Sequence, residues 1–286
     1  MKLRVLFTLL ATLSLPITSA HAGWVTRDLG TLGGTNSVAT GINAAGQVVG
    51  YAYTAGNAQQ HAFRSTGLAG AGQMTDLGTL GGTYSTATGI NATGQVVGYA
   101  SLANGQQHAF RSTGLAGAGQ MTDLGTLGGT YISAAGINAA GQVVGSSFLA
   151  NGDTHAFRST GLAGAGQMTD LGTLGGTNSF AIAINAAGQV VGYSQTEFND
   201  SIAPFFYDDG TMFDVRTLVT GFTDLSTNIF LNDLGQLAGT GRNSSGQMHA
   251  FLLTFENTVA VPEPASMALF GIGLFGIVAF RRKRRQ

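Results

Sequence analysis

Four histidines, His61, His108, His155 and His249, each open a His-Ala-Phe tripeptide, and four aspartates, Asp28, Asp76, Asp123 and Asp170, each open the string Asp-Leu-Gly-Thr-Leu-Gly-Gly-Thr. Imidazole and carboxylate can ligate metals, but a metal site needs ligands that converge, and these stand one per copy of a repeat. The histidines are therefore expected on the strand face they share with Phe63 and its counterparts, because residues two apart on a strand point the same way. An aspartate just ahead of a glycine-rich loop is expected to accept backbone hydrogen bonds. Arg64, Arg111 and Arg158 lie on strands next to those aspartates and can pair with them across the sheet, worth roughly 0–1 kcal/mol each at a surface.

Other chemistries fare no better. A nucleophilic site brings a serine, a histidine and an acid together once, whereas nearly every polar group here recurs in equivalent copies. Runs such as Leu32-Gly33-Gly34-Thr35 hold the glycines of a nucleotide loop, but no lysine follows and no helix opens, so they read as turns. No cofactor is implied. The unrepeated acids Glu197, Asp200, Asp208, Asp209, Asp214, Asp224 and Asp233 are the exceptions. Two of them about 5–10 Å apart in a cleft would form the carboxylate pair of a glycosidase. Tyr51, Tyr99 and Tyr193 occupy one repeat position, where rings either pack in the sheet or stack on sugars; the third copy has Ser146 there.

What must position these residues is the repeat itself. The aspartate strings begin 48, 47 and 47 residues apart, and His61 to Thr83 recurs letter for letter as His108 to Thr130 and His155 to Thr177. A second landmark, Asn-x-x-Gly-Gln, starts at Asn43, Asn91, Asn138, Asn185 and Asn232, which makes five copies. The fourth copy has Pro204-Phe205-Phe206 where the others have His-Ala-Phe.

Within a copy, Ala39 to Ile42, Gln47 to Tyr51, His61 to Ser65 and Met74 to Leu77 are short, β-prone and separated by Gly, Asn and Ser clusters. In Asn43-Ala44-Ala45-Gly46 the asparagine caps its own backbone and the glycine closes a hairpin. Four-stranded units repeated every 40 to 50 residues predict an all-β fold, a five-bladed β-propeller. The chain starts with a fourth-type strand, Thr26 to Leu29, and ends with a third-type strand, His249 to Leu253, so the first is expected to close the ring on the last. The rival architecture, a linear β-solenoid, needs end caps, and none is evident.

Composition narrows the partners. The 286 residues contain no Cys, which excludes disulfides and thiolate metal sites, and only 9% are charged. Between Gly23 and Val261 there are six Arg, no Lys and 13 acids, a balance of −7, so the body cannot offer the clustered cations that nucleic acid requires.

The cations gather at the ends. Lys2 and Arg4 precede an apolar run from Val5 to Leu15, then Pro16 and Ala20-His21-Ala22. This is a secretory signal, expected as a helix over 1–22 and cut by signal peptidase between Ala22 and Gly23, with Ala20 and Ala22 as the small residues of the site. At the other end, Pro262-Glu263-Pro264 is followed by an uncharged stretch from Ala265 to Phe280 and then Arg281, Arg282, Lys283, Arg284 and Arg285. Two prolines keep the local chain extended, about 24 Å of apolar helix suits a transient stop, and the cations stay cytoplasmic.

Residues 261 to 286 resemble the PEP-CTERM sorting signal. The resemblance implies that a membrane-embedded exosortase cleaves near Pro262 to Pro264 and hands the body to the surface of a Gram-negative bacterium that makes exopolysaccharide. The body, from about 26 to 255, resembles the HAF family of extracellular repeats, which brings no active site with it. The domains are thus a signal peptide over 1–22, repeats over 23–258 and a sorting tail over 259–286. The expected function is non-enzymatic: a surface or matrix protein offering repeated weak sites to polysaccharide, with Tyr51, Tyr99 and Tyr193 as contacts. The alternatives are a propeller glycoside hydrolase or lyase using Glu197, Asp208, Asp214 or Asp224, and a spacer with no ligand.

Overall fold

The computed structural model describes residues 26–66, 74–113, 121–160, 168–197 and 201–255; the signal peptide and the sorting tail, with their two expected helices, lie outside the described residues. No helix among the described residues is long and apolar enough to cross a membrane.

Strands make up 64% of the described chain, in five successive units. The first holds β1 (Gly33–Ile42), β2 (Val48–Thr54), β3 (Gln60–Ser65) and β4 (Met74–Gly78). The second holds β5 (Gly81–Ile90), β6 (Val96–Leu102), β7 (Gln107–Ser112) and β8 (Met121–Gly125). The third holds β9 (Gly128–Ile137), β10 (Val143–Leu149), β11 (Thr154–Ser159) and β12 (Met168–Asp170). The fourth holds β13 (Gly175–Ile184), β14 (Val190–Thr196), β15 (Ile202–Asp208) and β16 (Thr211–Asp214), with one helical turn α1 (Val215–Leu218). In the fifth, β17 (Phe222–Thr223) and β18 (Phe230–Leu231) both pair β19 (Leu237–Asn243), which pairs β20 (Met248–Leu253). The ladders are antiparallel and stay within units, apart from single parallel pairs such as Gln60 with Tyr84, so this is not the coil-to-coil pairing of a β-solenoid.

The first hairpin forms as its sequence predicts. Asn43 Oδ1 accepts from the amides of Ala45 and Gln47, at 3.1 and 3.0 Å, and Gly46 takes φ +76°. The glycine pair of each Gly-Gly-Thr run behaves differently from the expected turn. It opens the first strand: Gly33 has φ +97°, and a Cβ on Gly34 would meet Tyr53 O at 2.6 Å, so the pair admits a backbone bend and a close strand approach.

Burial lies at the junctions between units, because a four-stranded sheet cannot cover its own faces. Val49, Ala62 and Leu77 of the first unit pack against Ala87, Val96, Ala100 and Phe110 of the second. Val97, Ala109 and Leu124 repeat this against Ile132, Ala134, Val143 and Phe157, and Val144, Ala156 and Leu171 against Ala181, Val190 and Phe205. Polar groups cross the same junctions. Asn43, Asn91, Asn138 and Asn185 each donate from Nδ2 to the carbonyl of the next asparagine in the series, at 2.9–3.0 Å. Asn138 is buried and also binds Gln142. We expect Asn138→Ala to cost about 1–3 kcal/mol, because it strands buried partners, read as a lower urea midpoint with an unchanged slope.

The sheets do not close into a ring, which corrects the expected latch. Thr26 to Leu29 form no strand, β20 pairs only β19, and no core cluster joins the fifth unit to the first among the described residues. The physical reason lies in the four junctions. Each is fixed by its own buried core, and five units so joined leave Ala39 and Ile42 of the first and Ala250 and Leu252 of the last exposed.

Candidate functional site

The strongest polar constellation is one that spacing along the chain conceals. His61 Nδ1 lies 2.8 Å from Asp76, His108 Nδ1 2.8 Å from Asp123, and His155 Nδ1 2.8 Å from Asp170. A carboxylate only accepts, so each Nδ1 carries the proton. In the same units Asp76, Asp123 and Asp170 accept the amide two residues on, from Gly78, Gly125 and Gly172, as Asp28 does from Gly30. The loop-capping role expected of the aspartates is therefore present, and the imidazole is an added partner. No group of three or more His, Asp or Glu that could hold a metal occurs among the described residues.

The arginines do not meet those aspartates. Arg64, Arg111 and Arg158 reach across the junction to the turn carbonyls of Gly94, Gly141 and Gly188. They point this way because strand alternation turns them from the face of His61 and Phe63 toward that of Ala62, which is the junction face. Burial pushes the Arg64 and Arg111 guanidinium groups below their ordinary value.

The fourth unit shows what the repeat needs. Its register sets Ser194 opposite Ala203, Tyr193 opposite Pro204 and Gly192 opposite Phe205, so Ala203-Pro204-Phe205 stands in place of His-Ala-Phe. This shifts the sequence alignment by one residue. Phe205 then faces Asp214 as Phe63 faces Asp76, so Asp214 is a repeat aspartate and not a free acid. It accepts the amide of Arg216 at 2.9 Å, and with no histidine present its carboxylate binds the Arg216 guanidinium at 2.7 Å.

The remaining unrepeated acids have local partners. Asp208 accepts from Gln189 Nε2, Asp233 from the amide of Ala186, and Asp224 from Arg242. Asp209 takes φ +43° in the tight turn between β15 and β16, Glu197 is exposed after β14, and Asp200 lies outside the described residues.

Tyr51, Tyr99 and Tyr193 are half-buried on the second strands of their units. Two have an aromatic partner from the first strand: Tyr84 meets Tyr99 edge-on at 6.4 Å, and Phe180 stacks on Tyr193 at 5.0 Å. In the third unit, where Ser146 replaces the tyrosine, Tyr131 and Phe148 make the pair at 5.3 Å. Tyr131 holds the repeat position of Tyr84, which is the signal the sequence offered for it. The Tyr84 hydroxyl donates to Gln107 Oε1 at 2.6 Å; burial first, then the hydroxyls of Tyr99 and Tyr131, hold its phenol above the usual value. In the fourth unit a groove of about 200 Å³ is lined by Asn178, Phe180, Tyr193, Gln195 and Ile202. Asn178 Nδ2 already donates to Thr177 Oγ1 and Gln195 Oε1, so what the groove offers a sugar ring is its aromatic floor.

The comparisons with known proteins bear on the tail. Residues 260–285 match the PEP-CTERM protein-sorting motif. The motif implies processing by an exosortase, export and surface sorting. Pro262, Glu263, Pro264 and the cations Arg281 to Arg285 fall in this segment, outside the described residues, as do Ala20, Ala22 and Gly23 at the other end. No curated protein matches the chain. Among solved structures it is similar to a TolB-type protein of Agrobacterium tumefaciens, with 10% identity and TM-score 0.47 over 77% of this chain and 83% of that one. It is also similar to TolB of Acinetobacter baumannii, with 13% identity and TM-score 0.45 over 77% of this chain and 55% of that one. A mutant of AofleA from Arthrobotrys oligospora shows 12% identity and TM-score 0.38 over 76% and 68%.

Proposed function

We propose that the chain is an exosortase-sorted surface or matrix protein of the HAF-repeat type that works without catalysis, its blade-like units offering weak polysaccharide sites in series. The observation that carries the reading is the recurrence of an aromatic pair in the second, third and fourth units, Tyr84 with Tyr99, Tyr131 with Phe148 and Phe180 with Tyr193, maintained even where the repeat tyrosine is lost. A stacked sugar ring gains about 1 kcal/mol at an aromatic face, too little to hold a chain at one site. Several sites on one polymer raise the effective concentration of each next contact, so avidity accumulates without a tight pocket. Export and surface sorting, implied by the tail, put these sites where secreted polysaccharide is met.

The test is retention on a glycan array, and on exopolysaccharide from the producing cell, using the full-length chain in mild detergent. Tyr193→Ala and Tyr99→Ala are each expected to lower the apparent affinity by about tenfold and the pair by more, with thermal unfolding shifted by only a few degrees. If no polysaccharide is retained at micromolar protein, the reading falls.

A further inference from the structure

The two ends of the stack carry the two halves of a junction already made four times inside the chain. In the second, third and fourth units, Ala87, Ala134 and Ala181 are buried against the preceding unit, together with Val96, Val143 and Val190. Of their counterparts in the first unit, Ala39 is exposed and Val48 half-buried, and Ile42, whose equivalents Ile90, Ile137 and Ile184 are half-buried, is 68% exposed. On the opposite face, Ala62, Ala109 and Ala156 are fully buried against the following unit, whereas Ala250 of the fifth is exposed and Leu252 is 65% exposed. Asn91, Asn138 and Asn185 are buried in the junction series; Asn232 is exposed, and its Nδ2 bonds Gln236.

A missing strand completes the match. Units one to three set a fourth strand beside the third, with Asp76 opposite Phe63, Asp123 opposite Phe110 and Asp170 opposite Phe157. Among the described residues the fifth unit has none, and β20 pairs only β19. Thr26-Arg27-Asp28-Leu29 aligns with Met74-Thr75-Asp76-Leu77 and shares its Asp-Leu, with Asp28 at the position that faces the phenylalanine and pairs with the histidine.

We propose that the uncovered face of the fifth unit docks the first unit of a second copy, head to tail, with that copy's Thr26 to Leu29 added to β20. The docked register would set Asp28 of one copy opposite Phe251 of the other, near His249, and Arg27 opposite Leu252. A second copy is favoured over closure within one chain because it repeats the junction geometry unchanged. Same-chain closure would have to re-angle four junctions whose core residues are fully buried, and tightly packed cores resist such a change. The contact is heterologous, so it propagates into a filament or a ring of several copies. It involves none of the aromatic pairs and stands whether or not they bind sugar.

The chain contains no cysteine, so engineered thiols report unambiguously. Two full-length versions in mild detergent, one with Arg27→Cys and one with Leu252→Cys, are mixed and oxidised. Both positions are exposed, so folding is spared. The expected result is a disulfide dimer in the mixture, absent when Asn104→Cys, on an exposed turn, replaces Leu252→Cys, and lost when Ala250→Glu is added to the Leu252→Cys copy. The proposal is overturned if the mixture stays monomeric, and equally if a chain carrying both cysteines forms only an internal disulfide.

Discussion

Gly98→Ala should abolish cooperative folding of the second unit. Gly98 lies in the middle of β6, directly opposite Ala87 of β5. Just beyond that pair β5 carries an irregularity at Thr88, which turns the threonine out of the ladder so that its Oγ1 reaches Ala134 O in the next unit at 2.8 Å. The bend drives the β5 backbone into the space above Gly98. A Cβ there would overlap the carbonyl oxygen of Thr86 and lie 2.9 Å from both Ala87 Cα and Phe110 Cε1. A flexible side chain could yield, but a carbonyl held in a ladder and a fully buried ring cannot. We expect a loss of more than about 4 kcal/mol, in the range that only a named steric or buried-charge defect produces. Circular dichroism through a urea titration reads it: the variant should lose part of its strand signal before denaturant is added. A midpoint within about 1 kcal/mol of the parent would show that the strands can move apart. Gly50, Gly145 and Gly192 stand under the same constraint, each against the carbonyl of Val38, Ser133 or Phe180.

These glycines explain much of what the sequence reveals and what it hides. Repetition placed the second and third strands and the Asn-x-x-Gly-Gln turn, because hydrogen-bonded hairpins depend on residues a few positions apart. It did not reveal that Gly33 and Gly34 begin a strand, since glycine for a turn and glycine for close strand approach look alike in one dimension. The same limit explains the arginines. Alternation along β3 puts Arg64 on the face of Ala62, but only the junction shows that this face meets the turn of the following unit at Gly94.

The fourth unit misled for a different reason. A tight turn at Asp209 and Gly210 joins β15 to β16 where the first three units have a longer glycine-rich sequence, so Asp214 comes early and escapes a search at fixed period. Only the pairing of Phe205 with Asp214 restores its identity. The His–Asp pairs were similarly hidden: both residues recur in the first three units, but nothing in their spacing tells that β3 and β4 bring them to 2.8 Å. Ring closure is a further step removed, because strand counting fixes which edges are free and not the angle at which successive sheets meet.

That angle is held by rings such as Phe110, which leads to the second large effect, Phe110→Ala. Phe110 is fully buried, and its cluster spans two units: Val49, Ala62 and Leu77 on one side, Ala87, Val96 and Ala100 on the other. Removing the ring leaves a cavity that the flanking strands cannot fill, since both are tied into their own ladders, and a cost of about 3–5 kcal/mol follows. In a stack whose units touch only their neighbours, the consequence depends on position. The first unit has one junction, and Phe110 is the largest side chain in it; Phe157 fills the same role between the second and third units, which have a junction on each side. Phe110→Ala should therefore release the first unit before the rest unfolds. Limited proteolysis in mild urea is expected to cut within residues 33–65 while the remainder stays protected, whereas Phe157→Ala should lower the main transition. Simultaneous loss of all five units in Phe110→Ala would mean that the first unit has a partner on its outer face, the outcome expected at protein concentrations where a second copy is docked there.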